Sequence, residues 1–260
     1  LYNIIANKAS GVDVDRIDYL LRDAKCATGR DANFDWNFIL DNAAVRMAKC
    51  DDDPSPYPVI AFARKSAVEI WKIFQSRYDM FNQAYLHQCS IGREMLLSDL
   101  LREFKALPEP ACHVIPGKTV DEAAADPHSF IKLDDEIITR VIMRVEDCES
   151  AAASTEERAK LARIQGLLER YSRHSHYTKL GEHPLPSHLA KRTGSELQHD
   201  WKLDETRFRV CLRTVHHGDG DMNPMQNMRF FDPKRDGADE QARPLSEEEW
   251  KQVPIAEPFA

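Results

Sequence analysis

The stretch Gly11-Val-Asp-Val-Asp-Arg-Ile-Asp-Tyr-Leu-Leu-Arg-Asp23 decides the fold class of this 260-residue chain. Its apolar side chains recur at the spacing of one face of an α-helix: Val14, Ile17, Leu20 and Leu21. The spacing predicts an amphipathic helix over about residues 13–24, which ends at the Thr-Gly-Arg-Asp break of residues 28–31.

The same helix carries polar side chains that suit a binding site. Asp15, Tyr19 and Asp23 stand at positions i, i+4 and i+8, so two carboxylates and a phenol share one face, with Arg16 beside them. Such a face is able to hold a metal ion, a sugar and a phosphate. A solvated acidic face has the same spacing, so the pattern alone leaves both interpretations open.

A second segment, residues 73–87, places a charge among apolar residues. Arg77 falls in one helical stripe with Phe74, Phe81 and Tyr85. A guanidinium on an apolar face must find an anion, which is either an internal carboxylate or the phosphate of a ligand. The residues by themselves allow both.

Most of the remaining chain also has helical periodicity. Residues 66–103 contain no proline and one glycine, which predicts a long helix or two helices in succession, and residues 35–48 predict another. Asp126-Pro127 has the residues of a helix start, and residues 154–157 fit a capping box. Residues 107–128 are rich in Pro, Ala and Asp and are predicted to be a linker or insertion.

The end of the chain changes period. Residues 207–215 alternate between apolar and polar, which predicts a half-buried strand with Arg207, Arg209 and Arg213 on its outer face. A turn at Asp219-Gly220 and a returning strand at residues 228–231 complete a small α+β lobe.

Composition limits the functions that are open to the chain. It is 42% hydrophobic and 30% charged with a net charge of −8, which suits a globular protein and disfavours a broad phosphate-tracking surface. No apolar run approaches the roughly 20 residues that cross a bilayer, so the sequence predicts a soluble protein. The six cysteines form no C-x-x-C pair, which favours free, buried thiols in a cytosolic or nuclear protein.

Residues 11–23 and 73–87 resemble motifs of the sterile-alpha-motif and HD-domain dNTP triphosphohydrolase family. In that family they read Gly-Ile-Asp-Val-Asp-Lys-x-Asp-Tyr-x-x-Arg-Asp and Met-Phe-x-Thr-Arg-x-x-x-His-x-x-x-Tyr-x-His. Shorter stretches match in the same order: residues 6–8, 33–35, 132–133, 177–182, 208–215 and 223–231. This collinear set carries the resemblance over most of the chain.

The resemblance implies a mainly α fold, namely the C-terminal portion of an HD-domain-like helical bundle with a small α+β C-terminal lobe. The implied domains run in chain order: the C-terminal part of the HD helical domain (1–106), the linker or insertion (107–128), a helical extension (129–182) and the α+β lobe (183–260). The chain opens on Leu1 rather than Met, and we interpret this end as a cut inside a larger protein.

The resemblance also implies an activity, the hydrolysis of a dNTP such as dGTP to a deoxynucleoside and triphosphate. Its substrate contacts carry over to five side chains: Arg16 and Arg77 for the phosphates, Tyr19 for the face of the deoxyribose, Asp23 for the 3'-hydroxyl, and Tyr85 for the edge where a ribonucleotide carries its 2'-hydroxyl. Asp15 matches the last aspartate of a histidine, histidine-aspartate, aspartate metal set, which makes it the expected catalytic residue and metal ligand.

The expected cofactor is a divalent or transition metal ion, Fe, Zn, Mn or Mg. The family places the other ligands upstream of the matched region, so we expect this chain alone to be inactive. The pairs His174 with His176 and His216 with His217 are spaced as ligands could be, but they are predicted to be ordinary surface histidines.

A nucleotide-activator site for GTP or a dNTP is implied at Arg64, Lys65 and His87, together with a homo-oligomer, a dimer or tetramer. The neutral residues Gln88 and Asn37 stand where the family has basic ones, which predicts weakened activation.

Two further functional classes stay open from the sequence. Phe81 and Leu86 replace a histidine and a glutamine of the family, which is compatible with an inactive regulatory or scaffold homologue. The arginines of the predicted tail strand are compatible with binding of single-stranded nucleic acid. The resemblance places the protein in the nucleus or the cytoplasm, and no membrane partner is expected.

Overall fold

The computed structural model of the chain describes residues 2–49, 55–149, 154–189, 191–204, 207–217, 222–234 and 241–253. These residues are mainly helical with a small three-stranded sheet, which confirms the predicted fold class and is consistent with an HD-domain-like helical fold. No helix among them has both the length and the apolar character that crossing a membrane requires.

The described residues form eleven α-helices and three strands. In chain order they are α1 (Tyr2–Ile5), α2 (Val14–Asp23), α3 (Trp36–Asp41), β1 (Ala43–Ala48), β2 (Tyr57–Ala63), α4 (Ala67–Met80), α5 (Gln88–Lys105), α6 (Val120–Ala125), α7 (Pro127–Phe130), α8 (Ile137–Glu149), α9 (Thr155–Ser172), α10 (Gly194–Asp200), β3 (Phe230–Phe231) and α11 (Glu247–Lys251). π-Helical turns follow α2 at Ala24–Thr28 and α4 at Phe81–Tyr85.

The chain divides into two compact units. The first contains residues 1–86 and 185–260, and the second contains residues 87–184. The boundaries of these units differ from those of the predicted domains, which stay predictions.

The first unit is built around α2 and α4. Its core contains residues of both helices, of α3 and of the chain end: Ile17, Leu20, Ile39, Ile70, Phe74, Met225, Met228 and Phe230. Beside this core, β2 pairs antiparallel with β1 from Tyr57 to Phe62 and parallel with β3 at Phe62 and Ala63.

The second unit packs α5 against α9, and α8 against α9. Its core residues come from these helices and from the segment before α6: Leu100, Phe104, Leu107, Cys112, Val114, Ile115, Val141, Val145, Leu161 and Ile164. The segment of residues 107–128, predicted to be a linker or insertion, buries apolar side chains in this core and contains α6. Its assignment as a linker or insertion stays a prediction.

Helix starts agree with the sequence where a capping residue is present. Asp13 caps α2 by accepting from the Arg16 backbone amide at 2.9 Å, and Ser154 opens α9 with the predicted capping box. The two helices predicted within residues 66–103 are confirmed as α4 and α5. The helix predicted after Asp126 is divided into α7, which begins at Pro127, and α8.

Two predicted elements are wrong. The helix predicted over residues 35–48 ends at Asp41, because Ala43–Ala48 pairs with β2 instead. Residues 208–216 form neither helix nor strand, and β3 runs parallel to β2 rather than returning in a hairpin. Asp219 and Gly220 of the predicted turn lie outside the described residues.

We predict that Gly194→Ala destabilises the first unit by about 1–3 kcal/mol, because the added methyl would collide with the backbone carbonyl of Val210. Tryptophan fluorescence during urea unfolding measures this effect, since all four tryptophans (Trp36, Trp71, Trp201 and Trp250) belong to this unit. The control is Gly166→Ala inside α9, where a methyl meets nothing within 4 Å. That change should stabilise the second unit by about 0.5–1 kcal/mol in circular dichroism. Equal effects of the two substitutions would contradict the prediction.

Candidate functional site

The N-terminal turn of α2 is built to hold Arg16. The Asp13 carboxylate accepts from the backbone amides of Arg16 and Asn7, each at 2.9 Å, so it fixes both sides of the turn. Gly11 has a φ of +67°, and a side chain there would begin 3.0 Å from Arg16 Nη1. Glycine is therefore required at residue 11 for its backbone conformation and for the close approach of the guanidinium.

Arg16 lies largely inside the first unit. Its guanidinium carbon is 5.6 Å from the centre of the Phe74 ring, and Nη1 is buried with no hydrogen-bond partner among the described residues. Burial lowers the pKa of Arg16 from its usual value, and the positive charge of Arg77 acts in the same direction, whereas Tyr19 and Asp13 oppose it.

Arg77, on α4, carries a second positive charge, which interacts with that of Arg16. Its Nη1 donates to the backbone carbonyl of His216, and its guanidinium carbon lies 4.5 Å from the centre of the Phe81 ring. Within the described ranges, no carboxylate forms an ion pair with Arg77 or with Arg16. The internal salt bridge that the sequence left open for Arg77 is therefore not formed by the described residues.

Tyr85 and Asp23 form a hydrogen-bonded pair. The Tyr85 hydroxyl donates to the Asp23 carboxylate at 2.7 Å, which joins the π-helical turn after α4 to the last residue of α2. Burial raises the pKa of Tyr85 well above its usual value, and the bond to Asp23 adds to this effect, so the hydroxyl stays protonated at physiological pH. The Phe81 ring lies 5.1 Å from the Tyr85 ring and therefore contacts both ends of the surface.

The structure thus brings together five predicted side chains on one surface of the first unit, which we call the α2–α4 wall: Arg16, Tyr19, Asp23, Arg77 and Tyr85. Tyr19 interacts with the charge of Arg16 and with Tyr85, so it lies between the cationic and the hydrogen-bonding ends. The π-helical turn at Phe81–Tyr85 is a kind of local distortion that is frequent at functional sites.

Asp15 lies in the first turn of α2 and is exposed. Hard and borderline metal ions need several ligands, and the part of the chain that the structure describes holds no group of three or more His, Cys, Asp or Glu arranged for a metal. The described residues therefore do not make a metal site by themselves, and Asp15 is the single candidate ligand that the sequence assigns in them.

The residues predicted for an activator site belong to different units, Arg64 and Lys65 to the first and His87 to the second. Arg64 Nη1 forms an ion pair with Glu249 of α11 at 2.5 Å, and the exposed Lys65 reaches the Phe38 ring at 5.5 Å. His87 is exposed in the second unit, where its Nδ1 accepts from the Cys89 amide at 3.3 Å. Their binding of a nucleotide stays a prediction.

The sequence predicted His217 to be an ordinary surface histidine, and this prediction missed its aromatic contacts. Its half-buried ring is stacked between Trp71, at 5.4 Å, and Tyr78, at 4.4 Å and nearly parallel. Burial lowers the pKa of His217. His174 is exposed as predicted, whereas His176 is half-buried and 5.9 Å from His174 between ring centres. The stacking depends on residues that are distant in sequence, so no local pattern signals it.

The hypothesis of nucleic-acid binding was based on a predicted strand that the described residues do not form. Arg207, Arg209 and Arg213 are exposed, but they lie on irregular chain, and the Arg207 guanidinium covers the Phe208 ring at 5.8 Å. Binding of single-stranded nucleic acid stays an untested prediction.

Comparison with known proteins agrees with the resemblance that the motifs carry. The chain is 26% identical over 254 residues to the deoxynucleoside triphosphate triphosphohydrolase SAMHD1 of Xenopus laevis, covering 90% of this chain and 37% of that protein. It is 26% identical to the Mus musculus protein of the same name, covering 89% of this chain and 36% of that protein. It is also 29% identical over 142 residues to a putative HD domain-containing protein of a mimivirus, covering 55% of this chain.

The chain therefore spans little more than a third of the length of these curated triphosphohydrolases. No family model matches it. At this level the similarity supports a relation to HD-domain hydrolases and to dNTP triphosphohydrolases as a class.

We predict that Glu249→Gln lowers the free energy of unfolding of the first unit by about 1–2 kcal/mol at pH 7. Glu249 accepts two bonds of 2.8 Å from Arg243 and one of 2.8 Å from the Ser246 backbone amide, besides its pair with Arg64, and these contacts lower its pKa from 4.5 to about 2. A carboxyl group whose pKa is lower in the folded state stabilises that state at pH values above its pKa in the unfolded chain. The difference between wild type and variant should therefore vanish as the pH falls from 4.5 to about 2.

The matched control is Glu247→Gln, which neutralises an exposed carboxylate on the same helix and should change stability by less than about 0.5 kcal/mol. Urea unfolding at a series of pH values measures both variants. A difference that persists unchanged at pH 2 would show that Glu249 acts through packing rather than through its charge.

Proposed function

We propose that the α2–α4 wall binds a deoxynucleoside triphosphate and that the protein carrying this chain hydrolyses dNTPs to a deoxynucleoside and triphosphate. The observation that carries the proposal is the pair of guanidinium groups, Arg16 and Arg77, whose charges interact and which form no ion pair with a carboxylate of the described residues. A triphosphate is an anion of the charge and shape that two such groups bind.

Each end of the wall suits one part of such a ligand. Arg16 and Arg77 would bind phosphate oxygens and stabilise the negative charge that develops on them during hydrolysis. At the other end the Asp23 carboxylate would accept from the 3'-hydroxyl of the sugar, and the Tyr19 ring would pack on the face of the deoxyribose. The similarity to triphosphohydrolases supports these assignments at the level of the class.

Tyr85 would give the wall its preference for deoxyribose. Its hydroxyl is tied to Asp23 and its ring contacts Phe81, so the ring has little freedom to withdraw from a 2'-hydroxyl. Rejection of a hydroxyl by a fixed ring raises the free energy of the wrong complex without requiring a better contact to the right one.

The cofactor, activator and oligomer belong to the proposal for the whole protein. Asp15 would contribute one ligand to a divalent or transition metal site completed by residues that the described part of the chain does not provide. A GTP or dNTP activator at Arg64 would have to compete with Glu249, which already neutralises that guanidinium. A homo-oligomer of the whole protein, in the nucleus or the cytoplasm, follows from the resemblance alone.

The central test is binding of dGTP to the chain by isothermal titration calorimetry. We predict that Arg77→Ala weakens binding about 10- to 100-fold, because one charge-assisted contact to phosphate is lost. Binding of deoxyguanosine, which has no phosphate, should change less than about twofold. The control is Arg30→Ala, which removes the same charge from an exposed position of the first unit. Equal weakening by both substitutions, or no dGTP binding by the wild type, would contradict the proposed function.

The sugar end is tested with the ratio of dGTP affinity to GTP affinity. We predict that Tyr85→Ala lowers this preference about tenfold, because the ring that excludes the 2'-hydroxyl is removed. Tyr85→Phe is the matched control: it keeps the ring, loses the bond to Asp23, and should keep most of the preference. Loss of the preference in both variants would show that the hydroxyl, not the ring, discriminates.

A further inference from the structure

The irregular chain of residues 208–217 contacts α4 through the aromatic ring of His217. Residues 208–216 form no helix or strand, so regular secondary structure does not fix them. The His217 ring stacks on Trp71 at 5.4 Å with an angle of 23° between the rings, and on Tyr78 at 4.4 Å with an angle of 4°. Aromatic pairs at these distances favour defined ring orientations.

This attachment places the neighbouring carbonyl on the guanidinium of Arg77. The carbonyl of His216 accepts from Arg77 Nη1, while Tyr78, one of the two stacking residues, directly follows Arg77 on α4. The guanidinium is also covered by the Phe81 ring at 4.5 Å. Arg77 therefore contacts one carbonyl and one ring, and the residue that directly follows this carbonyl is the stacked histidine.

A carbonyl suits this task better than a carboxylate would. It occupies one of the five N–H donors of the guanidinium and carries no formal charge, so it orients Arg77 without neutralising it. Because no carboxylate of the described residues pairs with Arg77, the remaining donors and the full positive charge would be available for a phosphate. A carboxylate at the same place would compete with the ligand for both.

We propose that His217 is a positioning residue for Arg77: by stacking between Trp71 and Tyr78, it holds the His216 carbonyl that orients the guanidinium toward the phosphates of the ligand. This inference rests on the proposed function, and it adds a residue and a segment that the motif resemblance does not assign. The required property of His217 is its flat ring.

The test compares His217→Ala with His217→Phe in the full chain, by calorimetric titration with dGTP and with deoxyguanosine. We expect His217→Ala to weaken dGTP binding about tenfold, since the orientation of one charge-assisted contact is lost. Deoxyguanosine binding should stay within about twofold. His217→Phe keeps a ring between Trp71 and Tyr78 and should restore dGTP binding to within about threefold of wild type.

A double-mutant cycle separates positioning from a general structural effect. If His217 acts through Arg77, then His217→Ala should cause no further loss in the Arg77→Ala background. The control is His199→Ala, an exposed histidine of the same unit, with 86% of its side chain accessible. Should His217→Ala impair folding, Tyr78→Ala removes one stacking partner at a half-buried position and takes its place in the cycle.

The outcomes distinguish this inference from the proposed function. Loss of dGTP binding in Arg77→Ala together with wild-type binding in His217→Ala would overturn the positioning role alone. The same loss from His217→Ala with and without Arg77, or an equal loss for deoxyguanosine, would also overturn it. Unchanged dGTP binding in Arg77→Ala would instead overturn the proposed function.

Discussion

The packing of α2 against α4 is the constraint on which the rest of the first unit depends. Ile17 and Leu20 of one helix and Ile70 and Phe74 of the other lie in one buried cluster, so the two helices are fixed at contact distance. Because Arg16 directly precedes Ile17, and Arg77 lies one turn beyond Phe74, the same packing brings both guanidinium groups to one surface. The core therefore determines how these side chains are arranged, and a cavity in this core would disturb their arrangement without removing any of them.

Two like charges on one half-buried surface have a free-energy cost. Burial and the positive charge of Arg77 both lower the pKa of Arg16, which shows that its charged form is disfavoured here. Aromatic faces offset part of this cost, because Phe74 lies under Arg16 and Phe81 under Arg77. An anion that bound both groups would remove the repulsion, which is consistent with the proposed binding of a multiply charged ligand.

The sequence predicted those features that depend on neighbouring residues. The spacing of its apolar residues predicted α2, whose start is fixed by the local side-chain cap of Asp13, and the stripe through Phe74 placed Arg77 on the same side of α4 as that packed ring. It failed where partners distant in the chain decide the outcome. Ala43–Ala48 has residues that a helix accepts, but pairing with β2 makes it a strand.

The prediction of a strand from the alternation in residues 207–215 was wrong for a related reason. Alternating burial arises on any extended chain that lies on a surface, and a strand requires in addition a partner for its backbone groups. The stacking of His217 between Trp71 and Tyr78 likewise joins residues more than 130 positions apart, as the bond from Arg77 to His216 does with a separation of 139. Local patterns carry no information about such contacts.

The contacts of Phe81 bear on the alternative that the protein is an inactive regulatory or scaffold homologue. Judged by the motif, it replaces a substrate-contacting histidine and so favours loss of activity. In the structure its ring covers the Arg77 guanidinium at 4.5 Å and contacts Tyr85, so it supports both ends of the wall. A scaffold that bound no anion would gain stability from a carboxylate beside Arg16 or Arg77, because each half-buried cation would then be neutralised. The described residues place a neutral carbonyl and aromatic rings there instead, which agrees better with the proposed binding of an anion than with a purely structural role.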